Sequence, residues 1–309
     1  MSAPRSLAVS AIGLAKQFDG LDAVRDVSFT VPAGTTAALV GTTGAGKTAL
    51  VSMLLGLSTP DSGTVALGDA PSASGRAVGA MTQARGLHPG RTVRGELRVF
   101  AAAAGVSDAR VDAVLALLRL DGVADLRVRA LAPGLRTRLA LAIALLGDPP
   151  LLILDDPFTG LDGAERGWLY DHLRGHARRG GTTVFTSQSL AAALPAADQL
   201  IVLAAGSIVY QGSPRRLRRS HPDRLIVGAS SPIALATMLA AQGFTDAIMR
   251  ADGRLAVAEA SRAEIEAAAR AAKIQLSDLI PEPVHPDRVL ATLTRTAVPA
   301  PPTPYGAPR

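Results

Sequence analysis

Apolar residues in the first two-thirds of this chain follow two patterns. Short, nearly continuous apolar runs predict strands buried on both faces, at Thr36–Val40, Ala77–Thr82, Leu151–Leu154, Thr182–Thr186 and Leu200–Leu203. Apolar residues at three- and four-residue spacing predict helices over Lys47–Leu57, Val93–Ala104, Asp108–Leu120, Leu135–Leu146 and Ala164–Arg178. Strands alternating with helices predict an α/β domain: a parallel sheet core with helices on both faces. Only the helical pattern occurs from about 92 to 147, which marks an all-helical insert. Ahead of the first buried run, Leu7–Leu14 and Val27–Val31 read as strands with a turn at Pro32-Ala33-Gly34. Ser62–Gly68 reads as a hairpin arm.

The pattern changes after Arg219. Strand Arg224–Gly228, helix Pro232–Gln242, strands Thr245–Arg250 and Leu255–Ala258 around an Asp252-Gly253 turn, helix Arg262–Ala272 and strand Ile274–Leu279 follow in order. A last helix is predicted over Pro286–Arg295. The order βαββαβ is that of a small ferredoxin-like α+β domain. The expected organisation is a domain over 5–218, a C-terminal extension over 219–296, and a Pro-rich disordered tail over 297–309.

Composition narrows the classes. With 48% hydrophobic and 19% charged residues among 309, the chain is globular. No apolar run reaches the roughly 18–20 residues of a membrane span, and no signal-peptide core is expected at the N-terminus. The absence of cysteine excludes disulfides and Cys-ligated metals. A net charge of +6 raises nucleic acid as a partner, but the arginines are dispersed and aromatics make up 3%. The tightest basic cluster, Arg215-Arg216-Leu217-Arg218-Arg219, reads as a helix end at a domain boundary. Neither a basic stripe nor stacking aromatics appear, so no nucleic-acid role is expected.

The chemistry gathers at Gly41-Thr42-Thr43-Gly44-Ala45-Gly46-Lys47-Thr48, between a predicted strand and a predicted helix. Its glycines let the backbone curl so that N–H groups converge on an anion at a helix N-terminus. Lys47 adds a point charge for β- and γ-phosphates, and the Thr48 hydroxyl can hold Mg²⁺. Lys47 is one of only three lysines among 32 basic residues, which suggests a role that a forked guanidinium cannot fill. ATP with Mg²⁺ is the expected ligand. Leu151–Leu154 then delivers Asp155 to the C-terminal edge of the sheet, where a carboxylate can reach the metal.

This arrangement resembles the ATP-binding subunit of ABC transporters, over about residues 5 to 218, and so implies a P-loop NTPase fold of that type. Phe18 lies where the family stacks an aromatic on adenine; the lesser alternative is a core aromatic at a strand end. Gln83 matches the Gln-loop that touches Mg²⁺ and faces the membrane partner, though in isolation it is a surface glutamine. Leu131-Ala132-Pro133-Gly134-Leu135 falls where the family carries its signature, with Ala132 and Gly134 acting on the partner's nucleotide; Pro133 could also simply open a helix. Asp162, in Thr159-Gly160-Leu161-Asp162, matches the loop crossing the dimer interface, and Thr186-Ser187-Gln188 matches the switch loop. The extension more loosely resembles that of some drug- and polysaccharide-export ATPases.

The departures from the family pattern fall on hydrolysis. The signature Ser-Gly-Gly-Gln becomes Ala132-Pro133-Gly134-Leu135, so a hydroxyl, an amide N–H and an amide side chain are missing. Asp156 stands where the family places the Glu that orients the attacking water, and is short by roughly one C–C bond, about 1.5 Å. Gln188 replaces a His that contacts the γ-phosphate; it can donate a hydrogen bond but cannot carry a proton or charge. The resemblance thus implies a peripheral subunit on the cytoplasmic face of the membrane, an exporter rather than an importer. It would join membrane-spanning subunits and a second nucleotide-binding subunit, as a homodimer or heterodimer, and hydrolyse ATP weakly. The alternatives are a hydrolysis-deficient, nucleotide-sensing regulatory subunit, and a soluble ABC protein of translation or DNA repair. The last is disfavoured by the single nucleotide domain.

Overall fold

The computed structural model describes residues 7–68, 78–83 and 86–295. The chain forms β1 (Leu7–Phe18), β2 (Leu21–Pro32), β3 (Thr36–Val40), α1 (Lys47–Leu54), β4 (Ser62–Ala66) and β5 (Val78–Met81). The helices α2 (Val93–Ala104), α3 (Asp108–Leu117) and α4 (Pro133–Leu145) come next. Then follow β6 (Leu151–Leu154), α5 (Gly163–Arg178), β7 (Thr182–Ser187), α6 (Leu190–Ala193), β8 (Gln199–Ala204), β9 (Ser207–Gly212) and α7 (Pro214–Ser220).

Six strands make the central sheet, in the order β5-β6-β7-β3-β8-β9. The first five are parallel, in register Met81↔Leu154↔Phe185 and Leu39↔Thr186. Every residue of β3, β6 and β7 is buried, as a sheet covered on both faces requires. The sheet is mixed rather than wholly parallel, because β9 pairs antiparallel with β8. The partly exposed β9 carries only three apolar residues in a row, Ile208-Val209-Tyr210, and so goes unseen among the longer buried runs. A second sheet, β2-β1-β4, is antiparallel. Here β4 pairs with β1, Ser10 facing Ala66, so the expected hairpin arm is an edge strand joined across a long sequence separation. Leu14, Phe29, Leu39, Leu50, Ile153 and Ile201 belong to one core, which ties the two sheets together through α1.

Cα packing divides the chain at Pro214/Arg215 and again at Val289/Leu290. The second unit holds β10 (Arg224–Ala229), α8 (Pro232–Ala241), β11 (Ala247–Met249), β12 (Leu255–Ala258), α9 (Arg262–Ala271) and β13 (Leu276–Glu282), and α10 (Pro286–Arg295) spans the later division. Its strands form one antiparallel sheet, β11-β12-β10-β13, over a separate core that includes Val227, Leu235, Leu255, Val257 and Ile265. Gly253 turns the β11–β12 connection at φ +81°, as the Asp-Gly pair anticipates. The expected tail, 297–309, lies outside the described residues. Among the described residues, no helix is long and apolar enough to cross a membrane.

Candidate functional site

The phosphate loop leaves the C-terminal end of β3 and closes on the N-terminus of α1. Two of its glycines are required by close approach. A Cβ on Gly41 would lie 2.6 Å from the Leu203 carbonyl oxygen, and one on Gly46 2.3 Å from that of Ala23, where φ is also +97°. The start of α1 has no side-chain cap and no acidic residue in its first turn. Its N–H groups therefore lack side-chain acceptors and carry the positive end of the helix dipole.

Lys47 is buried, 8% exposed, and its ammonium donates to the Gly41 and Thr42 carbonyls at 2.8 Å each. Burial pushes its pKa down, while the charges of Asp155 and Asp156 pull it up. The lysine and both carboxylates thus share one electrostatic site. Thr48 is exposed on the first turn of α1.

Asp155, 3% exposed, follows β6, and its N–H donates to the Met81 carbonyl at 2.7 Å. Thr186 Oγ1 donates to Asp155 Oδ1 at 2.5 Å, whereas Asp155 Oδ2 is buried with no partner among the described residues. An unpaired buried carboxylate oxygen is costly unless a cation or donor completes it. Among the described residues no group of three His, Cys, Asp or Glu side chains could hold a metal. The donor set instead fits Mg²⁺ delivered with a nucleotide, bound by one or two protein ligands and by phosphates and water.

Asp156 adopts φ +52°, uncommon for a residue with a Cβ. Its N–H donates to Thr186 Oγ1 at 2.8 Å, and its Oδ2 accepts from Thr159 Oγ1 at 2.6 Å. Gln188, exposed after β7, accepts at Oε1 from Thr43 Oγ1 at 3.0 Å. The structure therefore gathers the loop 41–48, Asp155, Asp156 and Gln188.

The other expected residues make no hydrogen bond to the loop among the described residues. Phe18 ends β1 with 48% of its surface exposed and Lys16 Nζ 5.7 Å from its ring centroid, so it is no core aromatic. Gln83 is exposed beyond β5. Ala132 is the N-cap of α4 without a side-chain bond, and Pro133 occupies the first turn. Gly134 sits against Gly160, where a Cβ would lie 2.8 Å from the carbonyl oxygen. Asp162 caps α5 in a reciprocal capping box with Glu165, which also pairs with Arg138.

The sequence pattern assigns no role to Thr159 or to the Thr186 hydroxyl. The one available signal was a hydroxyl-bearing residue at the end of a fully buried strand beside a carboxylate-bearing one.

Comparison with known proteins agrees with this geometry. The family model described as ABC transporter matches residues 24–159. A Nod factor export ATP-binding protein I from Bradyrhizobium sp. (strain SNU001) is 38% identical over 224 residues, 70% of this chain and 73% of that one. A protein of the same name from Burkholderia lata is 38% identical, over 67% of this chain and 71% of its own. A solved ATP-binding subunit of an ABC transporter superposes with TM-score 0.63 at 25% identity, over 69% of this chain and 92% of that structure. A dimeric ATP-binding cassette in a post-hydrolysis state with ADP and Pi, 20% identical, shares the fold with TM-score 0.60, over 66% and 98%.

Proposed function

The chain belongs to the ATP-binding subunits of ABC transporters, and on that premise we propose that it binds ATP-Mg²⁺ and couples binding, with slow hydrolysis, to export through separate membrane-spanning subunits. The observation that carries this reading is Lys47 lying in the field of Asp155, whose second carboxylate oxygen is buried and unpaired. The loop amides 41–48 would take the phosphates, and Lys47 would exchange two carbonyls of its own loop for phosphate oxygens. Asp155 and the Thr48 hydroxyl would hold Mg²⁺, with Gln83 nearby through water. When bound, Mg²⁺ supplies charge neutralisation and polarises the phosphate oxygens. Phe18, exposed at the end of β1, would stack on adenine. The names of the Nod factor export relatives support export; their cargo is not carried over.

Hydrolysis is the weaker part. Asp156 would orient the attacking water with a side chain one methylene short, and its Oδ2 is already engaged by Thr159. A misplacement of about 1 Å can cost around 10²-fold in rate. Gln188 would offer a γ-phosphate an amide N–H without charge. Ala132 and Gly134 would face a partner's nucleotide across a dimer with Asp162 near its seam. The missing hydroxyl and Pro133 remove two donors there, each worth on the order of 10²-fold in other enzymes. These departures support pairing with a standard subunit over a homodimer. The same departures support a second reading, a nucleotide-sensing regulatory subunit; absence of turnover in the assembled complex would favour it. The sheet order β11-β12-β10-β13 supports a ferredoxin-like reading of the C-terminal unit.

Equilibrium binding of ATP, with and without Mg²⁺, to the intact protein tests the proposal. Lys47→Ala is expected to weaken binding by about 10-fold or more, as loss of a charge-assisted contact implies. Asp155→Asn is expected to abolish the Mg²⁺-dependent part. Unchanged affinity in both variants would refute the assignment.

A further inference from the structure

Two carboxylates leave β6 side by side, yet they need different surroundings. Asp155 must present one fixed oxygen to a cation, and Asp156 must point a short side chain toward a water. One hydroxyl touches both residues. Thr186 Oγ1 donates to Asp155 Oδ1 at 2.5 Å and accepts from the Asp156 N–H at 2.8 Å. Thr186 itself is wholly buried near the end of β7. Parallel pairing of β6 with β7, Leu154 opposite Phe185, brings it beside the chain as it leaves β6.

We propose that Thr186 is a positioning residue of the nucleotide site: its hydroxyl fixes Asp155 so that Oδ2 alone faces the cation, and holds Asp156 in its left-handed backbone conformation. This inference rests on the ATP-Mg²⁺ reading above. A hydroxyl has one proton, and here it is spent on Asp155 Oδ1, which leaves the lone pairs for the Asp156 amide. The bond removes one of the two carboxylate oxygens from competition and sets the plane of the other. The left-handed turn at Asp156, φ +52°, costs free energy in a residue with a Cβ and persists only when neighbours hold it. Thr159 Oγ1 fixes the Asp156 side chain from the opposite direction, at 2.6 Å. Thr137 Oγ1 in turn donates to the Thr159 carbonyl at 2.9 Å. A chain of three threonines thus runs from the first turns of α4 to both carboxylates.

Hydrogen-bond partners behind a metal ligand are typically worth 10- to 100-fold in metal affinity. Thr186→Val keeps the shape and removes the hydroxyl; Thr186→Ser keeps the hydroxyl and removes a methyl. The test is ATP affinity in Mg²⁺ and in EDTA, together with Mn²⁺ binding followed by electron paramagnetic resonance in the presence of ATP. Circular dichroism of each intact variant establishes folding. Thr186→Val is expected to bind ATP in EDTA like the wild type but to weaken Mn²⁺ binding by about 10-fold or more, and Thr186→Ser to restore it. A folded Thr186→Val with wild-type Mn²⁺ affinity would overturn the inference and leave the site reading intact. Equal loss of affinity in EDTA, or no recovery in Thr186→Ser, would overturn it in favour of a purely structural role. A wild-type protein whose ATP affinity does not respond to Mg²⁺ would overturn the site reading itself, and this inference with it.

Discussion

At the scale of single residues, the proposed function combines complete binding groups with incomplete chemical ones. On the proposed reading, Lys47, the loop amides and Asp155 are the groups that would hold a nucleotide and its cation. Asp156 and Gln188 each fall one feature short, a methylene and a charge. Asp156→Glu combined with Gln188→His is therefore expected to raise phosphate release by about 10-fold or more, set against a cost of around 10²-fold for a misplaced group. No gain in the assembled complex would show that these groups do not limit turnover. The phosphate loop itself tolerates little. Gly46→Ala would force a Cβ to 2.3 Å from the Ala23 carbonyl at φ +97°, so destabilisation beyond about 1–3 kcal/mol is expected in urea unfolding. The loop and Asp155 were legible in the sequence because glycine, lysine and an apolar run carry their chemistry locally. Thr186 was not, because its role depends on the register of β7 against β6.

At the scale of elements, α5 contains a pH-sensitive stretch. His172 stacks on Trp168, with ring centroids 5.3 Å apart, and burial pushes its pKa down to about 4. The neighbouring His176 and Arg179 charges add to that depression, and Asp148 opposes it. His176 is buried and lowered in the same direction, first by burial and then by Arg179. Both imidazoles therefore resist protonation in the folded protein, whereas in the unfolded chain they titrate near 6.5. Unfolded molecules bind more protons below that pH, so stability falls with decreasing pH from about 6.5 and, for His172, levels off near 4. Melting temperatures of wild type and His172→Gln measured from pH 8 to 4 are expected to converge as pH falls; parallel curves would contradict this. The same helix begins with the Asp162–Glu165 capping box, so Asp162→Ala is expected to cost about 1 kcal/mol in urea unfolding. Helices and buried strands were legible from their periodicity. The edge strand β9 and the pairing of β4 with β1 were not, since a partly exposed strand gives only a short run and long-range pairing leaves no local trace.

At the scale of the whole molecule, two units with separate cores carry different expectations. The residues proposed to hold the nucleotide lie wholly in the first. Saturating ATP-Mg²⁺ at about 100 times its Kd stabilises a binding unit by roughly 2.7 kcal/mol. Calorimetry is expected to show two transitions, with ATP-Mg²⁺ raising only the one that belongs to the first unit. A single transition that moves as a whole would mean that the units unfold together. The turn at Asp252-Gly253 and the alternation of short elements made the second unit's order readable.

Holding ATP and hydrolysing it are separable in the proposed function. The most direct test measures both on one sample of the intact protein: saturable ATP binding in Mg²⁺ by calorimetry, then phosphate release at saturating ATP. The predicted result is one ATP per chain with turnover far below the roughly 10 s⁻¹ median of enzymes. Turnover near that median without any partner, or no ATP binding at all, would contradict it.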